Sequence, residues 1–440
     1  MLSKNRIKPP DYMELVKQYK EDLPYIIQEL VLPEHFQGGR YLHWDDVNKR
    51  GGDEKTKHQR WLKLKINRKL TPIQLSDEQG FAFQFHLPNK CQALLHKSNN
   101  FRADLMLYQD SKSKSEFLMN SLKLEEPISS SQLEGAATTR VVAISMLESE
   151  RKPTTVDEKM IFNNYLLMKS AWQHKDDDLS IDLILKFHEI ATEGIDDDKI
   201  KPGHFRQNDD AHVCGRDGEI LHRPPAYQWL EFRINNLCHF ANFNHQDEQF
   251  IHPIIKAIIL HFMIGYEHPF YDGNGRTARA LFYWFLAKHG YHEFQYISIS
   301  KLLKNAPKQY AMAYLYSETD DNDLTYFIGY QLEIIARAIN ELFAYLDKKQ
   351  QQFLDTLSWL GKTTLSQKLN AKEMILLKRA IKNQGKIFTV KEVKNYFGIT
   401  DNSARKYLEH LADYKIFLKT NNGRSVYYIA NRGIVEILNQ

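Results

Sequence analysis

The stretch "GYEHPFYDGNGRTARALFYWFLAKHG", residues 265–290, decides how the chain is organised. A polar, glycine-containing loop runs straight into an apolar segment, Ala278 to Ala287. That segment is too apolar to lie on a surface and reads as a buried helix. Its first turn therefore falls in the loop, at Gly273, Asn274 and Gly275. The segment before it, "HPIIKAIILHFMIGYEH", residues 252–268, reads as another apolar helix. Between them, His268, Asp272, Arg276 and Arg279 fall within twelve residues.

These residue types share a chemistry. Glycines let a backbone approach a ligand, and free N–H groups at a helix start bind anions. Taken alone, Gly273-Asn274-Gly275 is also an ordinary turn. Arg276 and Arg279 are three apart and share a helix face. Two cations in a first turn oppose the helix dipole, which costs stability unless an anion sits between them. Guanidinium grips phosphate oxygens in a bidentate fork, so a polyphosphate fits. The plain alternative is a surface ion pair. Asp272 would repel a bare phosphate, but a carboxylate there suits Mg²⁺ shared with substrate phosphates. His268 is either a helix C-cap or a base for an attacking hydroxyl.

The rest of the chain supplies the frame. "YLHWDDVNKRGGDEKTKHQRWLKLKINRKL" (41–70) reads as helical with a breaker at Gly51-Gly52, and its many bases read as a solvated face or a partner surface. "GFAFQFHLP" alternates and favours a short strand before Pro88. Helical spacing marks 104–122, 129–152, a segment from Thr155 with Glu158 behind it, and 180–194 ending on Gly194. Asp217-Gly218 signals a small hairpin between helices. We expect three regions: 1–100 as an N-terminal accessory region, 101–347 as a helical core, and 365–440 as a separate unit. In that last unit, helices over "AKEMILLKRAIKNQG" and "TVKEVKNYFGI" precede one capped by Thr400 or Asp401. Two strands around Asn422-Gly423 follow, the order of a winged helix. Residues 361–440 hold fifteen Lys and Arg against six Asp and Glu, so the basic excess lies there.

Composition sets outer bounds. With 440 residues, several domains and a sizeable core are expected. Hydrophobic residues at 42% and charged residues at 26% are those of a soluble globular protein. A net charge of +4 argues against a strong polyanion binder as a whole. Three cysteines, Cys91, Cys214 and Cys238, give neither a disulfide framework nor a metal-ligand spacing. With no signal-peptide pattern and no long apolar window, we expect a cytoplasmic protein without a membrane partner.

"HPFYDGNGRTAR" (268–279) resembles the signature of Fic-domain proteins, H-P-F-x-D/E-G-N-G-R-x-x-R, at every fixed position. "KPGHFR" and "HRPP" are similar to the family's flap borders, and the resemblance covers roughly residues 100–345. It implies a mainly α-helical Fic core with a β-hairpin flap near 211–223. It implies a protein adenylyltransferase that moves AMP from ATP to a Ser, Thr or Tyr hydroxyl of a target protein, the chain itself included. His268 would be the general base and Asp272 the Mg²⁺ ligand. Gly273, Asn274 and Gly275 would line the anion hole, and Arg276 and Arg279 would hold the β- and γ-phosphates. Asn305 and Tyr310 are candidates for the adenine pocket or for packing.

"SSQLEG" resembles the family's inhibitory motif S/T-x-x-x-E-G/N through Ser130, Glu134 and Gly135. It would lie on an inhibitory helix near 129–148, with Glu134 neutralising Arg279. Removal of AMP by the same site is the alternative activity. A phosphotransferase is disfavoured because "GNGR" is intact. From another class, the C-terminal unit would contact DNA through Arg405, Lys406 and Arg424. A homodimer is compatible with everything above.

Overall fold

Helices Pro253–Glu267 and Asn274–Lys288 are buried along nearly their whole length. Their sequences leave no polar face that could be turned to water. They pack against each other in a mainly helical chain. This computed structural model describes all residues except 1–6, 31–40, 110–121, 196–198, 216–217, 245–249, 361–364, 366–367, 423–424, 432, 435–436 and 438–440.

In chain order the described elements begin with α1 (Tyr12–Gln18), α2 (Leu23–Leu30), α3 (Trp44–Asn48), α4 (Glu54–Ile66), β1 (Thr71–Ser76), β2 (Ala82–Phe85) and α5 (Asn89–Gln109). Next come α6 (Glu125–Leu133), α7 (Arg140–Ser149), α8 (Val156–Gln173), α9 (Ile181–Thr192), β3 (Val213–Cys214), β4 (Ile220–His222) and α10 (Leu230–Asn242). The central pair are α11 (Pro253–Glu267) and α12 (Asn274–Lys288), followed by α13 (Ile299–Asn305), α14 (Pro307–Thr319) and α15 (Thr325–Leu360). The chain ends with α16 (Ala371–Lys382), β5 (Ile387–Phe388), α17 (Val390–Phe397), α18 (Asp401–Asp413), β6 (Phe417–Asn422) and β7 (Ser425–Ala430). Two compact units share these elements: Met1–Asn100, Leu166–Phe294 and Leu302–Ala336 make the first, and Phe101–Tyr165, Gln295–Lys301 and Arg337–Gln440 the second.

In the first unit α9 and α10 pack against the central pair. The N-terminal helices form their own small core of Leu15, Ile26, Trp44, Trp61 and Leu62. The basic stretch behind them is not a solvated face at its end. Lys65 and Arg68 have side chains only 8% and 4% exposed and pair with Asp320 at 2.8 and 2.5 Å. Arg68 also lies over the Tyr41 ring, 4.3 Å from its centroid, and donates to the Leu42 carbonyl. A charge taken out of water needs a partner, and here the partner lies some 250 positions further along the chain. The alternating stretch pairs as an antiparallel β1–β2 hairpin, and the Gln84 backbone joins Asn322 and Leu324.

In the second unit the expected single helix over 129–152 is two. It breaks after α6 because Gly135 takes a left-handed φ of 105°. The Ser131 carbonyl accepts the N–H of both Glu134 and Ala136, and Thr139 caps the new start at α7. The helix expected at 104–122 begins earlier, at Asn89, and the part past 109 lies outside the described residues.

The C-terminal residues form three helices and a sheet ordered β5-β7-β6, around Leu376, Leu377, Phe397, Leu408, Leu411 and Phe417. Strand β5 had no sequence signal: two residues are too few to show a period. Thr400, not Asp401, caps α18. This group of elements packs on α7. Asn395 Nδ2 donates to the Glu148 carbonyl at 2.9 Å, and Lys391 pairs with Glu150 at 2.9 Å. Arg405 and Lys406 are exposed on α18, and Arg424 lies outside the described residues. Among the described residues no helix is long and apolar enough to cross a membrane.

Buried histidines, His43 and His261 among them, should make the first unit acid-sensitive. Burial pushes His43 down to about 3, against the pull of Asp320, and burial with nearby Arg279 pushes His261 down to about 3. Both are neutral when folded and take a proton near pH 6.5 when unfolded. Their contribution is therefore complete above that value and is lost as pH falls from 6.5 toward 3. We expect thermal unfolding between pH 7 and pH 5 to show a loss of about 2 kcal/mol per histidine. The loss should shrink in His43→Phe; an acid profile unchanged in that variant would refute it.

Candidate active site

The two core helices do not merely abut; the loop between them is held by its own backbone. Helix α11 ends at His268, which adopts a left-handed conformation (φ 43°, ψ 56°) and donates its N–H to the Ile264 carbonyl. A left-handed residue reverses the chain out of the helix. Asn274 then turns its side chain back, its Nδ2 donating to the Phe270 carbonyl at 2.7 Å and its Oδ1 accepting the Phe270 N–H at 3.0 Å. The side chain of the first residue of α12 thus closes the loop. No side chain caps the start of α12, where Gly273 sits at φ 81°. The first-turn N–H groups of a helix have no partner inside it, so this terminus presents donors and the positive end of a dipole.

Helix α9 and the segment after it brace the loop from one side. The His188 ring stacks flat on Phe270 with centroids 3.7 Å apart. Its Nε2 lies 3.0 Å from the Asp272 carbonyl, and its Nδ1 accepts the Gly203 N–H at 3.1 Å. Burial pushes His188 down to about 4. Arg206, wholly buried, donates to the His268 carbonyl at 3.1 Å, the Asn208 carbonyl, Asp209 and the Pro225 carbonyl. One guanidinium thereby joins the loop to both ends of the hairpin segment. Neither His188 nor Arg206 stood out in the sequence as a site residue. "KPGHFR" marked the surroundings of Arg206 only through the family resemblance.

The arginines are not a surface pair. Arg276 and Arg279 are 0% and 1% exposed. Arg276 donates to the Ala191 carbonyl at 2.5 Å and to Asp272 at 2.6 Å. The Arg279 charge acts on His261 and Tyr314, in the aromatic cluster between α11, α14 and α15. Solvent reaches the loop at His268, Tyr271, Asp272 and Gly275, all half-buried. Asp272 keeps 42% of its side chain exposed although paired with Arg276. A single hard oxygen donor beside bound phosphates is a common magnesium arrangement, and that is what the residues present can offer. Among the described residues no group of three or more His, Cys, Asp or Glu could hold a metal alone.

The other expected positions fall as follows. The hairpin forms as β3–β4, Val213 opposite His222. It is pinned by His222, whose ring bonds the Tyr266 carbonyl at 2.7 Å and Glu318 at 2.8 Å. Asn305 is exposed at the end of α13. Tyr310 is half-buried in the aromatic cluster, with its hydroxyl 2.8 Å from His261 Nε2. Ser130, Glu134 and Gly135 belong to the second unit: Ser130 is buried inside α6 and Glu134 is its C-cap.

Comparison with known proteins agrees with this geometry. Residues 178–286 match the model of the Fic/DOC family, a span that contains His188, Arg206 and the whole loop. A protein adenylyltransferase Fic of Drosophila yakuba is 30% identical over 205 residues, 45% of this chain and 38% of that protein. That of Aedes aegypti is 25% identical over 285 residues, 64% of this chain and 50% of that protein. The chain thus spans about half the length, or less, of the curated relatives it matches. The crystal structure of a Fic family protein from Desulfovibrio desulfuricans, 15% identical, shares the fold with a TM-score of 0.51 over 79% of this chain and 98% of that one. Residues 178–286 are thus similar to the Fic/DOC family.

A β-carbon at position 273 would meet Thr192 Cγ2 at 3.0 Å and His188 Cδ2 at 3.1 Å, at a φ that L residues rarely adopt. Gly273→Ala should therefore cost about 2 kcal/mol of stability, read by thermal unfolding, and Thr192→Ser should recover part of it. An alanine variant as stable as the parent would show that the loop is less tightly braced.

Proposed function

We propose that this chain is a protein adenylyltransferase that transfers AMP from ATP to a Ser, Thr or Tyr hydroxyl of a target protein. One observation carries this most: the uncapped start of α12, with Arg276 and Arg279 buried behind it and the half-buried His268 at the other end of a short loop. An anion with several phosphates meets each of these groups at once. The N–H groups of Gly273, Asn274 and Gly275 would bind phosphate oxygens, while Arg276 and Arg279 offset the charge of the β- and γ-phosphates. Asp272 would hold Mg²⁺, which spreads the charge of the leaving pyrophosphate when bound.

The chain's own steps are proton and position. His268 Nδ1 lies 3.4 Å from the Gly265 carbonyl. A proton on Nδ1 leaves the lone pair of Nε2 to take the hydroxyl proton as oxygen attacks the α-phosphorus. The bond to the β-phosphate oxygen breaks and pyrophosphate departs in line. The target chain would lie along the β3–β4 hairpin by main-chain pairing. Ser130, Glu134 and Gly135 support a built-in restraint: Glu134 at the helix end would neutralise Arg279 and spoil the γ-phosphate pose. Relatives named protein adenylyltransferase support the activity.

Transfer from α-labelled ATP to protein tests both parts. Parent protein with Mg²⁺ should label itself or an added lysate. His268→Ala should lower labelling at least a hundredfold, and Glu134→Gly should raise it about tenfold or more. Full labelling by the His268 variant would remove the base, whereas no gain from Glu134→Gly would remove only the restraint.

A further inference from the structure

The carbonyl of the peptide between Asp272 and Gly273 meets the ring of His188 at 3.0 Å. The Gly203 N–H donates to His188 Nδ1, so the ring proton is on Nε2 and is donated to the Asp272 carbonyl. The stack on Phe270 and the Thr192 hydroxyl bonded to the His188 carbonyl at 2.8 Å leave the ring little room to tilt. No described peptide bond is cis. In a trans peptide the C=O and N–H point in opposite directions. Fixing the Asp272 carbonyl toward His188 therefore aims the Gly273 N–H away from α9. The tight approach of His188 and Thr192 to Gly273 permits no side chain there that could fill the space or rotate the peptide.

We propose that His188 is a positioning residue for the nucleotide polyphosphate: it orients the Gly273 amide that receives a phosphate oxygen. It touches no substrate and acts through the Asp272–Gly273 peptide alone. Without the Nε2–H donor, that peptide is free to flip, and a preorganised donor becomes one that must be ordered on binding. The loss should fall on phosphate recognition and spare the nucleoside. This role rests on residues 273–279 being the ATP-phosphate site.

His188→Phe keeps the stack on Phe270 and removes both hydrogen bonds. His188→Gln retains a donor that can reach the Asp272 carbonyl. Titration calorimetry with ATP and Mg²⁺, and separately with adenosine, should show ATP affinity tenfold or more weaker in the Phe variant. Adenosine affinity should stay within twofold, and the Gln variant should recover most of the loss. Equal losses for ATP and adenosine, or an ATP affinity within twofold of the parent, would overturn the proposal. Should the Phe variant not fold, ¹⁵N spectra of the parent decide. They should show the Nε2–H tautomer at His188 and a Gly273 amide proton that moves downfield with ATP; the other tautomer or an unmoved amide would overturn it. A parent chain that binds no ATP would remove the phosphate-site reading itself, and this role with it.

Discussion

A buried helix start without a side-chain cap is the constraint around which the first unit is arranged. Helix α12 must be buried because it is apolar on nearly every face. Its first turn brings backbone N–H donors and two guanidiniums into the interior with it. Such an end is costly to leave dry and unpartnered. The N-cap residue, Gly273, has no side chain to cap it with, and the Asn274 side chain closes the 270–274 loop. The terminus thereby has no side-chain cap, while the loop before it is fixed by other means.

Those other means come from outside the signature. Helix α9 contributes the His188 ring, the Ala191 carbonyl and the Thr192 methyl, all against the loop. Arg206 holds the carbonyl of the proposed base and the roots of the hairpin with one side chain. A hairpin of two- and three-residue strands has little stability of its own, and His222 fastens it to Tyr266 and Glu318. Reacting groups on a short loop gain their geometry from such supports.

What could be read from the sequence was what depends on near neighbours. The apolar runs at 253–267 and 278–287 announced two core helices, and the glycines and arginines between them pointed to the anion site proposed above. Asp217-Gly218 announced the hairpin, Thr155 with Glu158 behind it announced one helix start, and Thr400 was one of two candidates for the cap of α18. What could not be read depends on partners far along the chain. His188 meets the loop 84 positions away, and Arg68 meets Asp320 252 positions away, so neither contact leaves a local pattern. The break at Gly135 was hidden because Ser, Gln and Ala around it suit a helix, and only the backbone turn shows where α6 stops. Tyr310 was ambiguous for a related reason: an aromatic residue on a half-buried helix face serves packing and ligand stacking equally well, and here it joins the cluster around His261.

The central claim is that the open end of α12 is a polyphosphate site. A crystal structure of the parent chain grown with ATP and Mg²⁺ tests it most directly. The β- and γ-phosphate oxygens should lie within about 3 Å of the Gly273, Asn274 and Gly275 amides, with guanidinium nitrogens of Arg276 and Arg279 on the same phosphates. Triphosphate density elsewhere on the chain, with the 273–275 amides facing water alone, would contradict it.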